Sequence, residues 1–149
     1  MTELSTVSIF LVDKFKSQPL VNTISFEKTG EIDANKNNIY PLVNIDIVDT
    51  DPIGDILTFN YVITILQQRD IDNELNNDKI LNKDNMIDNL NECYAIATRC
   101  VNNIERTEND YDIEILRKSN ITLLKDFNTQ KLDGVRFNLS LSIQNNTPC

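Results

Sequence analysis

Between Ile39 and Asp70 the chain runs IYPLVNIDIVDTDPIGDILTFNYVITILQQRD, and in two stretches of it apolar and polar residues alternate. Val43, Ile45 and Ile47 alternate with Asn44 and Asp46; Leu57, Phe59, Tyr61, Ile63 and Ile65 alternate with Thr58, Asn60, Val62 and Thr64. Successive side chains of a strand point to opposite faces, so a period of two marks strands with one buried face. Both runs are rich in β-branched and aromatic residues. Asp51-Pro52 and Gly54 stand between them, which predicts an antiparallel hairpin. At about 3.3 Å per residue the second run spans roughly 33 Å, long for a strand. It is expected to be either an arm reaching past the body or a central strand.

A sheet with one apolar face needs a cover. Leu4, Val7, Leu11 and Phe15 form one helical stripe, with Thr2 as its cap and Pro19 beyond its end. Ile9, Phe10 and Val12 widen that stripe, so the helix is expected to bury more than one face, against its own sheet or a neighbouring subunit. A stronger helix runs from Met86 to about Arg106, capped by Asp84 or Asn85. Its predicted stripe is Ile87, Leu90, Tyr94, Ala97, Val101 and Ile104, flanked by Met86, Cys93, Ile96 and Cys100. A short strand is expected over Val21 to Phe26, and another through Ile121, Leu123, Lys125 and Phe127. A turn around Leu132-Asp133-Gly134 then leads into a last strand with Val135, Phe137, Leu139, Leu141 and Ile143 on one side. Thr107 to Ser119 is charged and ambiguous. The predicted class is α+β: one antiparallel or mixed β-sheet packed by two main helices. Residues 1–149 form a single domain in this reading, with 144–149 as a C-terminal tail.

The chemistry of the chain is sparse. There is no histidine, which removes the commonest general base and metal ligand. Zinc, P-loop and dinucleotide-binding patterns are missing, and three glycines do not furnish a phosphate cradle. Asp70, Asp72 and Glu74 have the alternation of a calcium loop. The pattern then fails, with Leu75 where the sharp turn needs glycine and Leu81 where the bidentate glutamate belongs. Cys93 and Cys100 lie seven positions apart on one helix, about 10 Å along its axis, too far to bridge. They are expected to be small core residues and reduced, and no basic cluster activates any of the cysteines. Asp49, Asp51 and Asp55 read as turn formers in the hairpin loop. A net charge of −9 argues against phosphate-neutralising nucleic-acid binding and against anionic membranes. It suits solubility, or a surface that DNA slides past. The opening residues lack a signal-peptide pattern, and no run reaches the roughly 18 apolar residues of a membrane span. The expectation is a non-enzymatic protein without cofactor or metal.

Several blocks carry a family likeness: VNTISF, then a polar loop with Asp33, Lys36 and Asn37 leading to Ile39-Tyr40-Pro41-Leu42-Val43, the helix NMIDNLNECYAIATRCVNNIER, and the closing LDGVRFNLSLSIQNNTPC. As short blocks in the same order of elements, over most of the chain, they resemble the small tail-completion or neck proteins of phages of Bacteroidetes-type hosts, crAss-like phages included. Two departures are visible. Val135 stands where that family often has tryptophan after the glycine, and the acidic stretch around Asp70 to Asn85 is an insertion.

The resemblance implies a tail-terminator-like α+β subunit of the virion, assembled in the host cytoplasm. It implies a closed hexameric or dodecameric ring at the head–tail connector, against portal, neck or tail proteins, with DNA passing through the lumen unbound. On that reading the expected interface residues are Phe10, the hairpin tip Asp51, Pro52, Ile53, Gly54 and Asp55, and the tail Asn145, Asn146, Thr147, Pro148 and Cys149. The tail would act as an arm laid on a neighbour. The alternative is a soluble adaptor or host-interaction module that recognises a partner through the hairpin or the acidic loop.

Overall fold

The computed structural model describes residues 3–28, 40–68, 86–106, 113–127 and 132–144. The expected caps at Thr2, Asp84 and Asn85, the acidic loop Asp70 to Asn85 and residues 145–149 of the expected tail lie outside the described residues. Gln144, the first residue of that tail, is instead the end of a strand. Within them the fold is α+β: α1 (Glu3–Lys16), β1 (Thr23–Ser25), β2 (Leu42–Ile53), β3 (Ile56–Gln68), α2 (Met86–Arg106), β4 (Glu114–Lys118), β5 (Thr122–Phe127) and β6 (Leu132–Gln144).

The alternating runs form the predicted hairpin, β2 against β3 in antiparallel register from Leu42↔Leu66 to Ile53↔Ile56. The strands run further toward the tip than the turn residues suggested. Asp49 and Asp51 stand on β2 rather than in a loop, and the turn is only Gly54-Asp55. Gly54 takes φ +59°, the left-handed value that tight two-residue hairpins demand. The long run is a central strand, since β3 pairs with β6 over its whole length. The sheet order is β1-β2-β3-β6-β4, with β5 also on β6. The parallel β1–β2 pair makes the sheet mixed. β4 lies along the Leu139–Ser142 part of β6 and β5 along its start, so the two behave as one interrupted edge strand. The break is stitched by the Asn138 amide donating to Ser119 Oγ at 2.7 Å and the Ser119 amide donating to Asn138 O at 2.9 Å.

The odd-numbered residues of β3 and β6, Phe59 to Ile65 and Val135 to Ile143, join Val7, Leu11 and Phe15 of α1 and Cys93, Ile96, Cys100 and Ile104 of α2 in one core. The Ser8 and Tyr61 hydroxyls, 3.2 Å apart, tie α1 to the central strand. α2 has the predicted bounds but a rotated face. Leu90, Ala97, Val101 and Ile104 of the predicted stripe and Cys93, Ile96 and Cys100 of its flank are buried. Ile87 and Tyr94, however, are 68% and 47% exposed, and Asn89 is buried instead. The cause is polar: Asn89 Nδ2 donates to Gln68 O at 3.1 Å and approaches Asp133 Oδ2 at 3.5 Å, inside the sheet end. A buried amide must keep its partners, so these bonds hold the helix with Asn89 turned inward.

The predicted turn at Leu132-Asp133-Gly134 is overturned, because all three residues lie in β6 and are buried. Gly134 sits opposite Leu66 on one side and Leu124 on the other, with backbone too close for any side chain. The glycine marks a close approach of strands, not a bend. On the face away from the helices, Leu42, Leu66 and Leu132 form a small second cluster. Asn44, fully buried there, accepts from Ser25 Oγ at 2.7 Å and the Glu27 amide at 2.8 Å and donates to Glu27 O at 2.9 Å. That bracket holds the short β1 on the sheet.

Candidate functional site

The helix-free face carries a polar row that crosses four strands. Asp49 of β2 is opposite Asn60 of β3, Asn60 is opposite Ser140 of β6, and Ser140 is opposite Arg117 of β4. The Asn60 amide donates to Asp49 Oδ1, and the Ser140 hydroxyl donates to Asn60 Oδ1. The row lies in an open cleft of about 440 Å³ that also includes Val48, Lys118 and Asn138. Both flanking strands are bulged at this level, between Ile47 and Asp49 on β2 and between Ile115 and Arg117 on β4. A bulge bends its strand and increases local twist, so paired bulges curl the sheet about the row. They also turn out one apolar side chain each, Val48 at 57% and Leu116 at 60% exposure.

The row is acidic at one end and basic at the other. Three strand spacings of about 4.8 Å separate Asp49 from Arg117 by roughly 14 Å. That is beyond the screening length of about 8 Å at physiological salt, so within one subunit the two charges barely neutralise each other. The Ser140 hydroxyl gives its proton to an amide oxygen, not to a base, so it is held as a structural donor rather than an activated nucleophile. Among the described residues no group of three histidine, cysteine or acidic side chains is arranged to hold a metal. No described helix is long and apolar enough to cross a membrane. Cys93 and Cys100 are free thiols in the core; burial pushes both up to about 12, with Glu92 and Asp133 adding to the rise at Cys93 and Lys14 opposing it at Cys100.

The residues expected at an interface fall in different settings. Phe10 is only 8% exposed and belongs to the subunit's own core, with Lys14 Nζ 5.1 Å from its ring centre. Its neighbour Ile9 is exposed at 47%, and so is Leu4 at 41%, which the predicted stripe had placed in the core. Asp51 and Pro52 are exposed at the end of β2, opposite Thr58 and Leu57; Ile53 pairs with Ile56, and Gly54 and Asp55 make the exposed turn. Asn145, Asn146, Thr147, Pro148 and Cys149 lie outside the described residues, but Gln144 just before them pairs with Ile56. The root of the tail and the hairpin turn therefore share one end of the sheet.

Sequence reasoning missed Asn60, Ser140 and Arg117. Asn60 and Ser140 occupy the polar positions of their alternating runs, where a solvent-facing residue is the ordinary expectation. Their hydrogen bond spans eighty positions, so no local pattern announces it. Arg117 fell in the stretch without readable period. No protein-family model matches the chain, and a search of curated proteins returns no relative.

Proposed function

We propose that the chain is a structural subunit of a phage virion, assembling into a closed ring at the neck or tail terminus around the DNA channel. One observation carries the reading beyond the sequence resemblance. The Ile56↔Gln144 pair brings together, at one end of three strands of twelve or thirteen residues, the hairpin turn and the start of the tail, two of the segments where the ring reading expects contacts. Long strands paired along most of their length give a firm body, and a firm body with expected contact segments gathered at one end suits a part that works by geometry. The acidity of the chain, −9 overall, suits a channel wall that releases DNA.

Purified full-length protein is expected to sediment as one hexameric or dodecameric species and to show rings in negative-stain micrographs. A monomer at micromolar concentration would overturn the reading. Deleting Asn145 to Cys149 is expected to weaken assembly at least about tenfold while leaving the melting temperature of the subunit unchanged, because the deletion touches no described core residue. Unchanged assembly after the deletion removes the arm but not the ring. The cleft around Asn60 and Ser140 favours a second reading, a monomeric adaptor that binds a host protein there. That reading predicts one-to-one binding abolished by Asn60→Lys.

A further inference from the structure

The sheet ends in two edges of opposite charge. On its outer side β2 pairs with β1 only from Leu42 to Asn44; from Ile45 onward no described strand covers it. That open run carries Asp46, Asp49 and Asp51 and no lysine or arginine before Pro52, which lacks an N–H, interrupts it. At the opposite side β4 pairs with β6, and its other side also has no described strand partner. β4 carries Arg117 and Lys118, both exposed, against the single acid Glu114.

From these edges we infer that a second copy of the chain docks by sheet extension, the acidic β2 edge of one subunit against the basic β4 edge of the next. The inference deepens the ring reading and rests on it. Strand direction agrees. β2 and β3, β3 and β6, and β6 and β4 are each antiparallel, so β4 runs opposite to β2 and the joined edges form an antiparallel ladder, the stronger pattern per residue. Level agrees too. Asp49 and Arg117 end the same polar row, so extending that row by one strand sets Arg117 of one copy beside Asp49 of the next, with Leu116 beside Val48 as an apolar contact at the two bulges.

Bulges, edge charges and an edge proline are the usual devices against indiscriminate edge pairing. Here the charges have opposite sign on the two sides, which makes the protection selective. A like-with-like dimer through β2 would oppose aspartates to aspartates, and one through β4 would oppose Arg117 and Lys118 to themselves; both are disfavoured. Only the unlike pairing remains. It is heterologous, and a heterologous contact closes into a ring when the rotation per subunit allows.

A charge swap tests this on the full chain. Asp49→Lys with Asp51→Lys, and separately Arg117→Glu with Lys118→Glu, should each weaken self-association by about tenfold or more in sedimentation velocity. Mixing the two variants should restore assembly as alternating copies, because each carries two like edges complementary to the other's. Should a reversal unfold its subunit by circular dichroism, the milder Asp49→Asn with Asp51→Asn and Arg117→Gln with Lys118→Gln replace it, and each should still weaken association severalfold. Rings that survive all these changes overturn the edge contact and leave the ring reading standing. Open filaments or small oligomers that respond to the swap keep the edge contact and overturn closure. A wild-type monomer ends both.

Discussion

Gly134→Ala is expected to destabilise the protein by more than about 3 kcal/mol, the upper end of what overpacking costs. A β-carbon there would stand 1.9 Å from the Ile65 carbonyl oxygen, 2.9 Å from its carbonyl carbon and 3.0 Å from Leu66 Cδ2. The first two belong to the backbone of the central strand, which cannot turn aside as a side chain does. Relief would require β6 to move off β3 at the Leu66↔Gly134 pair, or β3 to bow, and either breaks ladder bonds in the middle of the sheet. Gly54→Ala makes the contrast. That glycine meets nothing within 4 Å, so only its φ of +59° is at stake and the expected cost is about 1 kcal/mol. Urea unfolding of both variants measures the difference. Equal, small losses would mean that the strands do not approach as closely at Gly134 as described.

The second large effect is loss of stability in base. Cys93 and Cys100 are both fully buried, and in the folded state each thiol keeps its proton up to about 12, against an ordinary value near 9. Burial is the main cause at both: a thiolate would sit in the apolar interior between α2 and the sheet. Above pH 9 the unfolded chain releases protons that the folded one retains, so the unfolded state binds fewer and stability falls as pH rises. The contribution is intact below 9 and drains away between 9 and 12, at about 1.4 kcal/mol per pH unit for each thiol. Tyr61, raised by burial and partly relieved by Ser8, acts in the same direction. Urea midpoints between about pH 8 and pH 11 should drop steeply in the wild type and less in a Cys93→Ala, Cys100→Ala variant. Equal slopes would show that other groups carry the alkaline transition.

What could be read from the sequence was what has a local period. The hairpin, both helices and the last strand announced themselves through Val43 to Ile65, Val7 to Phe15, Leu90 to Ile104 and Val135 to Ile143, since burial on one face repeats at two or 3.6 residues. Features decided by distant partners stayed hidden. Gly134 had the composition of a turn but the duty of a close approach, which only Ile65 reveals. The azimuth of α2 depended on Asn89 meeting Gln68 and Asp133. Phe10 looked like spare apolar surface until α1 was seen to settle it in the core. The acidic and basic edges were invisible for the same reason. Which strand lies outermost is a matter of sheet order, and Asp49 and Arg117 share a level only once four strands have been placed side by side.

The pairing of β3 with β6 also bears on how quickly the chain acquires its structure. Asn60 and Ser140 are eighty positions apart, and the helix α2 and two edge strands lie between them in sequence. During synthesis the β2–β3 hairpin emerges early with only α1 before it to cover its apolar side, and it waits for Leu132 onward before the middle of the sheet can close. Long-range closure of this kind is slow, on the order of milliseconds to seconds, and leaves the intermediate sticky in the meantime. Stopped-flow refolding followed by far-ultraviolet circular dichroism measures the interval, and completion within microseconds would contradict it.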